Sequence, residues 1–174
     1  MRISLWLSMG VWRKYNDRTN KGDKMNLCEV YMSQALKEAQ KAYEGDEVPV
    51  GAVIVCEGEI IARAHNQIKL LKDPTAHAEM IAITQAAAHL GNERLTGCEL
   101  YTTIEPCSMC AGAAVLGRIS KIVFGAADPK TGACGSVIDI TRSGFLNHDI
   151  EVVGGVMGSE CRELIQKFFE TKRK

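Results

Sequence analysis

Two short stretches carry side chains whose types and spacing can do chemistry: His77-Ala78-Glu79 and Pro106-Cys107-Ser108-Met109-Cys110. A C-x-x-C pair at the start of a helix sets two sulfurs one turn apart on the same side. The unpaired N–H groups and the helix dipole at that end favour thiolates. One histidine and two thiolates make three zinc ligands and neutralise the formal charge of the ion. A tetrahedral zinc with three protein ligands keeps its fourth position for water, which marks a catalytic rather than a structural site. Each piece alone has a plainer reading. Cys107 and Cys110 alone read as a redox pair, although the small residues around them lack the usual redox context. His77 alone reads as a helix-surface or core histidine, and Glu79 alone as a solvated helix charge. Residues two apart do not share a face of a regular helix. His77 and Glu79 therefore converge only if the site lies at a first turn, viewed from the helix end. The joint pattern, H-x-E followed by P-C-x-x-C on a later helix, is far more specific than its parts and is the signature of zinc deaminases.

The elements that position these residues follow from patterning. Tyr31, Ala35, Leu36, Ala39 and Ala42 recur at helical spacing, so residues 27–43 read as an amphipathic helix ended by Glu44-Gly45-Asp46. Pro49–Cys56 and Glu59–Ala64 are β-branched runs separated by Glu57-Gly58, the punctuation of a hairpin. Asp73-Pro74-Thr75 reads as the capped opening of a helix running to about Leu90 and stopped by Gly91. Glu99–Thr103, Lys121–Phe124 and Glu151–Val153 read as further strands. Cys107–Leu116 reads as a short helix rich in small residues, and Ser159–Lys172 as a last helix capped by Ser159. Strands alternating with helices indicate an α/β layered sheet. No internal repeat, low-complexity segment or second-domain linker interrupts the pattern.

Bulk properties bound the partners. A chain of 174 residues suits one domain, and 46% hydrophobic with 24% charged residues is ordinary for a soluble globular protein. No apolar run reaches the length of a membrane span. With 21 basic and 21 acidic side chains the net charge is +0, so no global field draws nucleic acid. Any nucleic-acid partner must be held by local patches, and Lys167, Lys172, Arg173 and Lys174 form a basic end that reads either as a phosphate contact or as a solvated helix terminus. The seven cysteines are odd in number and show no disulfide framework, which fits a reducing cytosol. Cys28, Cys56, Cys98, Cys134 and Cys161 read as small buried hydrophobes. Residues 1–24 read as an N-terminal extension, either a disordered arm or the result of a start placed too far upstream. Ser4 and Ser8 interrupt its apolar part and no small-residue cleavage site follows, unlike a signal peptide. Helical patterning begins just after Met25, which favours Met25 as the true start and residues 25–174 as a single deaminase domain.

The sequence resembles the bacterial tRNA-specific adenosine deaminases. The matching stretches are Val48–Val55, His65-Asn66, Asp73–Met80, Glu105–Ala113, Val123–Ala126, Asp128–Ala133, Gly135-Ser136 and Leu146–His148, and similarity runs from about Asn26 to Phe169. The zinc motifs are shared by deaminases of many bases, whereas Phe124–Ser136 and Asn147-His148 are more particular to the tRNA branch. The resemblance implies a three-layer α/β/α cytidine deaminase-like fold with a five-stranded mixed sheet. It implies a cytoplasmic homodimer with its two active sites near the subunit interface and one Zn2+ per subunit. It also implies conversion of adenosine to inosine at the wobble position of a tRNA anticodon, with no DNA or membrane partner. In that frame His77, Cys107 and Cys110 hold zinc and Glu79 shuttles protons. Asn66 and the Ala78 backbone meet the target base, Asp128, Lys130, Asn147 and His148 line the RNA side, and Phe168 or Phe169 stacks on an anticodon-loop base. The plainer readings are a turn residue for Asn66, core for the phenylalanines and ordinary loop polarity for the others. Two competitors remain. A deaminase of free bases or nucleosides, of guanine or cytosine type, keeps the zinc site without RNA contacts; Phe124–Ser136 speaks against it. A non-enzymatic zinc-binding subunit of a larger editing complex lacks the catalytic glutamate, which is present here as Glu79.

Overall fold

The computed structural model describes residues 26–173. The extension 1–24, the start proposed at Met25 and the terminal Lys174 lie outside the described residues.

Helix α1 (Leu27–Glu44) begins where Asn26 and Glu29 close a capping box. The Asn26 Oδ1 accepts the Cys28 N–H at 3.2 Å, and the Glu29 carboxylate accepts the Asn26 N–H at 3.2 Å. Strands β1 (Gly51–Cys56) and β2 (Glu59–His65) form the expected hairpin. Its two turn residues, Glu57 and Gly58, have φ of 52° and 84°, the left-handed pair that a tight hairpin needs. After β2 come a single-turn helix α2 (Ile68–Leu71), helix α3 (Ala78–Leu90) and strand β3 (Cys98–Ile104). Helix α4 (Ser108–Leu116), strands β4 (Lys121–Ala126) and β5 (Glu151–Gly154), and helix α5 (Gly158–Lys172) complete the described chain.

The sheet has five strands in the order β2-β1-β3-β4-β5. β1 pairs antiparallel with β2 and β3, while β3–β4 and β4–β5 are parallel. The sheet is thus mixed, and alternation along the strands sorts its two faces. Ala52, Ile54, Leu100 and Ile122 join Ala78, Ala82, Ala86, Ala111 and Ala114, which come from α3 and α4. Val53, Val55, Tyr101 and Val123 join Met32, Ala35 and Cys161, which come from α1 and α5. Helices on both faces of a mixed sheet make the three-layer α/β/α fold. The layers approach closely because small residues line the contact. A Cβ built on Gly51 would lie 2.1 Å from the Ala35 carbonyl oxygen and 2.3 Å from the Ala39 nitrogen, so α1 rides directly on β1. Among the described residues no helix is long and apolar enough to cross a membrane.

Two expected helix starts are displaced. Asp73-Pro74-Thr75 does not open α3. The Asp73 Oδ1 accepts the Thr75 N–H at 2.8 Å and the Thr75 hydroxyl at 2.7 Å, closing a local turn, and α3 begins at Ala78 with His77 as its N-cap, four residues later than expected. Ser159 is not the cap of α5: the helix starts at Gly158 after Met157, which has φ of 51° and makes no side-chain cap. Helix α2 went unread because one turn is too short to leave a periodicity.

Candidate active site

Both ligand-bearing segments are helix N-termini on the same face of the sheet. His77 is the N-cap of α3 and Cys107 the N-cap of α4, each extended with ψ of 151° and 174°, and neither makes a side-chain cap bond. Their side chains are therefore left to turn toward each other. The Cys107 and Cys110 sulfurs are 3.7 Å apart, and His77 Nδ1 lies 3.7 Å from the first and 3.6 Å from the second. A tetrahedral zinc, with bonds of about 2.3 Å to sulfur and about 2.0–2.1 Å to nitrogen, requires separations close to these on every edge of the triangle. The donor set fits the ion in chemistry and in size. Among the described residues this is the one group of three or more candidate ligands so gathered. Cys110 is buried, while Cys107 and His77 are half-buried.

Electrostatics point the same way. The Cys110 thiol, with His77 helping, lowers Cys107 to about 4, while the Cys107 sulfur and burial raise Cys110. The contact with Cys107 also raises His77. A dication held there would take both sulfurs as thiolates and the imidazole in its neutral form.

Glu79 stands in the first turn of α3, two residues after the N-cap, and is only 2% exposed. Viewed from the helix end it shares a neighbourhood with His77, Cys107 and Cys110, each of which acts on its charge. Burial pushes its carboxyl up to about 7. Its Oε2 has no hydrogen-bond partner. A buried carboxylate oxygen left unpaired is costly unless a ligand or a proton meets it.

Asn66 is buried at the end of β2, and its Oδ1 accepts the Ala78 N–H at 2.8 Å. It thereby pins the start of α3, beside His77, to the neighbouring strand. The Ala78 N–H is engaged by that bond, and the amide nitrogen of Asn66 is the end left to donate to a ligand. The preceding His65 is held by Glu38, whose Oε2 lies 3.3 Å from its Nδ1.

The segment after β4 is organised by a residue to which sequence reasoning gave no role. Glu105 is 1% exposed and its carboxylate accepts three backbone N–H groups: Asp128 at 3.1 Å, Cys134 at 3.0 Å and Ser136 at 3.0 Å. Gly132 passes so close that a Cβ there would sit 2.5 Å from the Glu105 carboxylate. Glu105 thus joins the strand that delivers Cys107 to the loop that carries Asp128 and Lys130. Asp128 turns its carboxylate on its own loop, accepting the Lys130 N–H at 2.8 Å and the Thr131 hydroxyl at 2.6 Å. Lys130 is exposed at that rim. The available signal was a carboxylate closing an apolar strand immediately before Pro106-Cys107. Glu47 is a second missed residue. It is buried, and its Oε1 accepts the Lys69 and Leu70 N–H groups at 2.7 and 2.8 Å, capping α2 from outside.

Other expected contacts are not gathered here. His148 Nε2 donates to the Ile119 carbonyl at 2.7 Å, and the Asn147 carbonyl accepts from Arg118. Ile119 precedes β4, so this pair sits at the end of the parallel strands opposite to Cys107. Phe168 is buried and packs edge-on against Tyr43 at 6.0 Å, so it is core; Phe169 is 45% exposed. Lys172 is paired with Asp46, and Lys167 lies 5.7 Å from the Tyr43 ring centre.

Residues 25–126 match the family described as the cytidine and deoxycytidylate deaminase zinc-binding region. A tRNA-specific adenosine deaminase of Bacillus subtilis (strain 168) is 51% identical over 150 residues, covering 86% of this chain and 93% of that protein. A solved structure from biochemical and structural studies of A-to-I editing by tRNA:A34 deaminases at the wobble position superposes with a TM-score of 0.76. It is 45% identical and covers 78% of this chain and 98% of its own. A solved guanine deaminase of Bacillus subtilis is 41% identical with a TM-score of 0.57, covering 59% of this chain and 66% of its own.

Proposed function

Because the chain belongs to the cytidine and deoxycytidylate deaminase zinc-binding family, and is similar over most of its length to tRNA-specific adenosine deaminases, we propose that it converts adenosine to inosine at the wobble position of a tRNA anticodon. The reaction adds water at C6 of the base and releases ammonia. The observation that carries the chemistry is the triangle of His77, Cys107 and Cys110 beside the unpartnered Oε2 of Glu79.

His77, Cys107 and Cys110 are the zinc ligands in this reading. A zinc ion held by these three side chains would act as a Lewis acid that lowers the pKa of water toward neutrality. Glu79 Oε2 accepts a proton from the attacking water and delivers it to N1 of the adenine ring, then takes the remaining proton from the new C6 hydroxyl and passes it to the amino group, which leaves as ammonia as the C6 carbonyl forms. A carboxyl raised to about 7 suits a group that must accept and donate in one turnover. Asn66, fixed by its bond to Ala78, holds the base edge through its amide nitrogen, with the Ala78 backbone next to it. Asp128 and Lys130 line the mouth on the loop that Glu105 anchors. An anticodon loop is already partly unstacked, so extruding one nucleotide into a small pocket costs less than from a duplex.

Asn147 and His148 serve RNA from the far end of the sheet, in this subunit's own reach or across a homodimer. Exposed Leu116, Phe145 and Leu146 lie near them and are the apolar surface a second copy would cover. Residues 25–174 act as one deaminase domain behind the extension 1–24, in the cytoplasm where tRNA is found.

Deamination of a free purine is the competing reading, favoured by the likeness to guanine deaminase. That likeness covers less of this chain than the A34 deaminase structure does. Offering the zinc-loaded enzyme guanine, cytosine, adenine and adenosine beside an anticodon stem-loop separates the two. Product from the RNA alone is expected; turnover of a free base with no inosine in the RNA would contradict the tRNA assignment while keeping the zinc mechanism.

A further inference from the structure

Cys56 ends β1 and Cys98 opens β3, and the antiparallel register sets them directly opposite each other. The Cys98 N–H donates to the Leu95 carbonyl at 3.0 Å, and its carbonyl accepts the Ser120 N–H at 2.9 Å. The two cysteines therefore do not exchange ladder hydrogen bonds. Such non-hydrogen-bonded partners are the closer kind of antiparallel pair, with Cα atoms about 4.5 Å apart. That separation falls inside the roughly 4.4–6.8 Å a disulfide requires. Directly opposite side chains point to the same face, and here Cys98 lies in the core under α3 and α4 with Cys56 packed against it. Burial pushes the Cys98 thiol up to about 12, and the adjacent Cys56 thiol adds to the shift. Cys56 is half-buried, so a small reagent reaches it first.

We propose that Cys56 and Cys98 form a cross-strand dithiol that a small-molecule disulfide oxidises to an intramolecular disulfide while the zinc-site cysteines remain as ligands. The Cys56 thiolate attacks the reagent, forming a mixed disulfide and releasing one thiol. Cys98 then gives up its proton and displaces the second reagent thiol from the Cys56 sulfur. Protein dithiol plus one small disulfide gives protein disulfide plus two small thiols, and no other oxidant is needed. The high-lying Cys98 thiol makes the second step the slow one. The bond pins β1 to β3 at the strand ends about 20 Å from Cys107, at the roughly 3.3 Å rise per residue of a strand. It closes residues 56–98, the segment carrying Asn66, His77 and Glu79, into a loop without touching the site. Cross-linking such a loop restricts the unfolded chain and stabilises the fold.

The test uses the zinc-loaded full chain incubated with oxidised glutathione, followed by intact mass, peptide mapping, zinc content and thermal unfolding. The expected result is loss of two hydrogens per chain, a Cys56–Cys98 linked peptide, unchanged zinc and a higher unfolding midpoint that a dithiol reductant reverses. Cys56→Ser should block the linkage, and Cys98→Ala should stop at a glutathione adduct on Cys56. A wild-type protein that stops at that adduct would overturn the proposal. So would the same loss of mass in Cys56→Ser, or a linkage through Cys107 or Cys110 with release of zinc.

Discussion

Glu79 is under two opposing demands: burial favours its neutral form, and the positive charge of an ion held by His77, Cys107 and Cys110 would favour its ionised form. A group balanced in that way can take a proton and return it, which is why glutamate rather than glutamine occupies the position. Glu79→Gln keeps shape and hydrogen-bonding size but removes the proton step. It should retain zinc by metal analysis and lose turnover by at least ~10²–10⁴-fold. Replacing Cys110 by Ser or His77 by Ala should act through the metal. Zinc content should fall and the thermal midpoint with it, as chelation of wild type should also cause. Unchanged zinc in those variants would contradict the ligand assignment. At this scale the spacing of His77, Cys107 and Cys110 was sufficient to expect the ligand cluster that the fold gathers. Glu105 and Glu47 escaped because their partners are backbone N–H groups from distant segments, which no local pattern encodes.

Elements bring these residues together by where helices begin. His77 and Glu79 converge only because α3 starts at Ala78 and not at Pro74. The Asp73 turn and the Asn66 bond to Ala78 set that start. Patterning gave the helix but not its first residue, since Asp73 is as good a cap for a turn as for a helix. Glu47 stabilises the same stretch by capping α2. Glu47→Ala should cost about 1 kcal/mol, the worth of a helix cap, and raise KM more than it lowers kcat, because the loop leading from Asn66 loosens while zinc stays bound. Denaturant titration together with kinetics checks both halves. Gly51→Ala tests the closeness of α1 to β1. A methyl forced against the Ala35 and Ala39 backbone should cost about 3 kcal/mol or more, read as a lower denaturant midpoint.

At the scale of the whole molecule, the alternation of strands and helices was enough to give the layered α/β class, and the resemblance supplied the five-stranded mixed sheet. The parallel β3–β4–β5 half and antiparallel β2–β1–β3 half follow from connection lengths: two residues for the hairpin, a full helix for the β3–β4 crossover. What no local pattern encodes is the position of Asn147 and His148: the resemblance implied the RNA side of the site, and they sit beyond the opposite strand ends. If a second copy covers Leu116, Phe145 and Leu146, then Leu116→Glu should shift sedimentation from dimer to monomer and weaken binding of the stem-loop without removing zinc. The most direct test of the central claim is inosine formation in an anticodon stem-loop bearing a wobble adenosine, with zinc content measured on the same samples of wild type and Glu79→Gln. Inosine from wild type alone, at equal zinc occupancy, is the expected result. Equal inosine from both, or none from a fully zinc-loaded wild type, would contradict the assignment of this site.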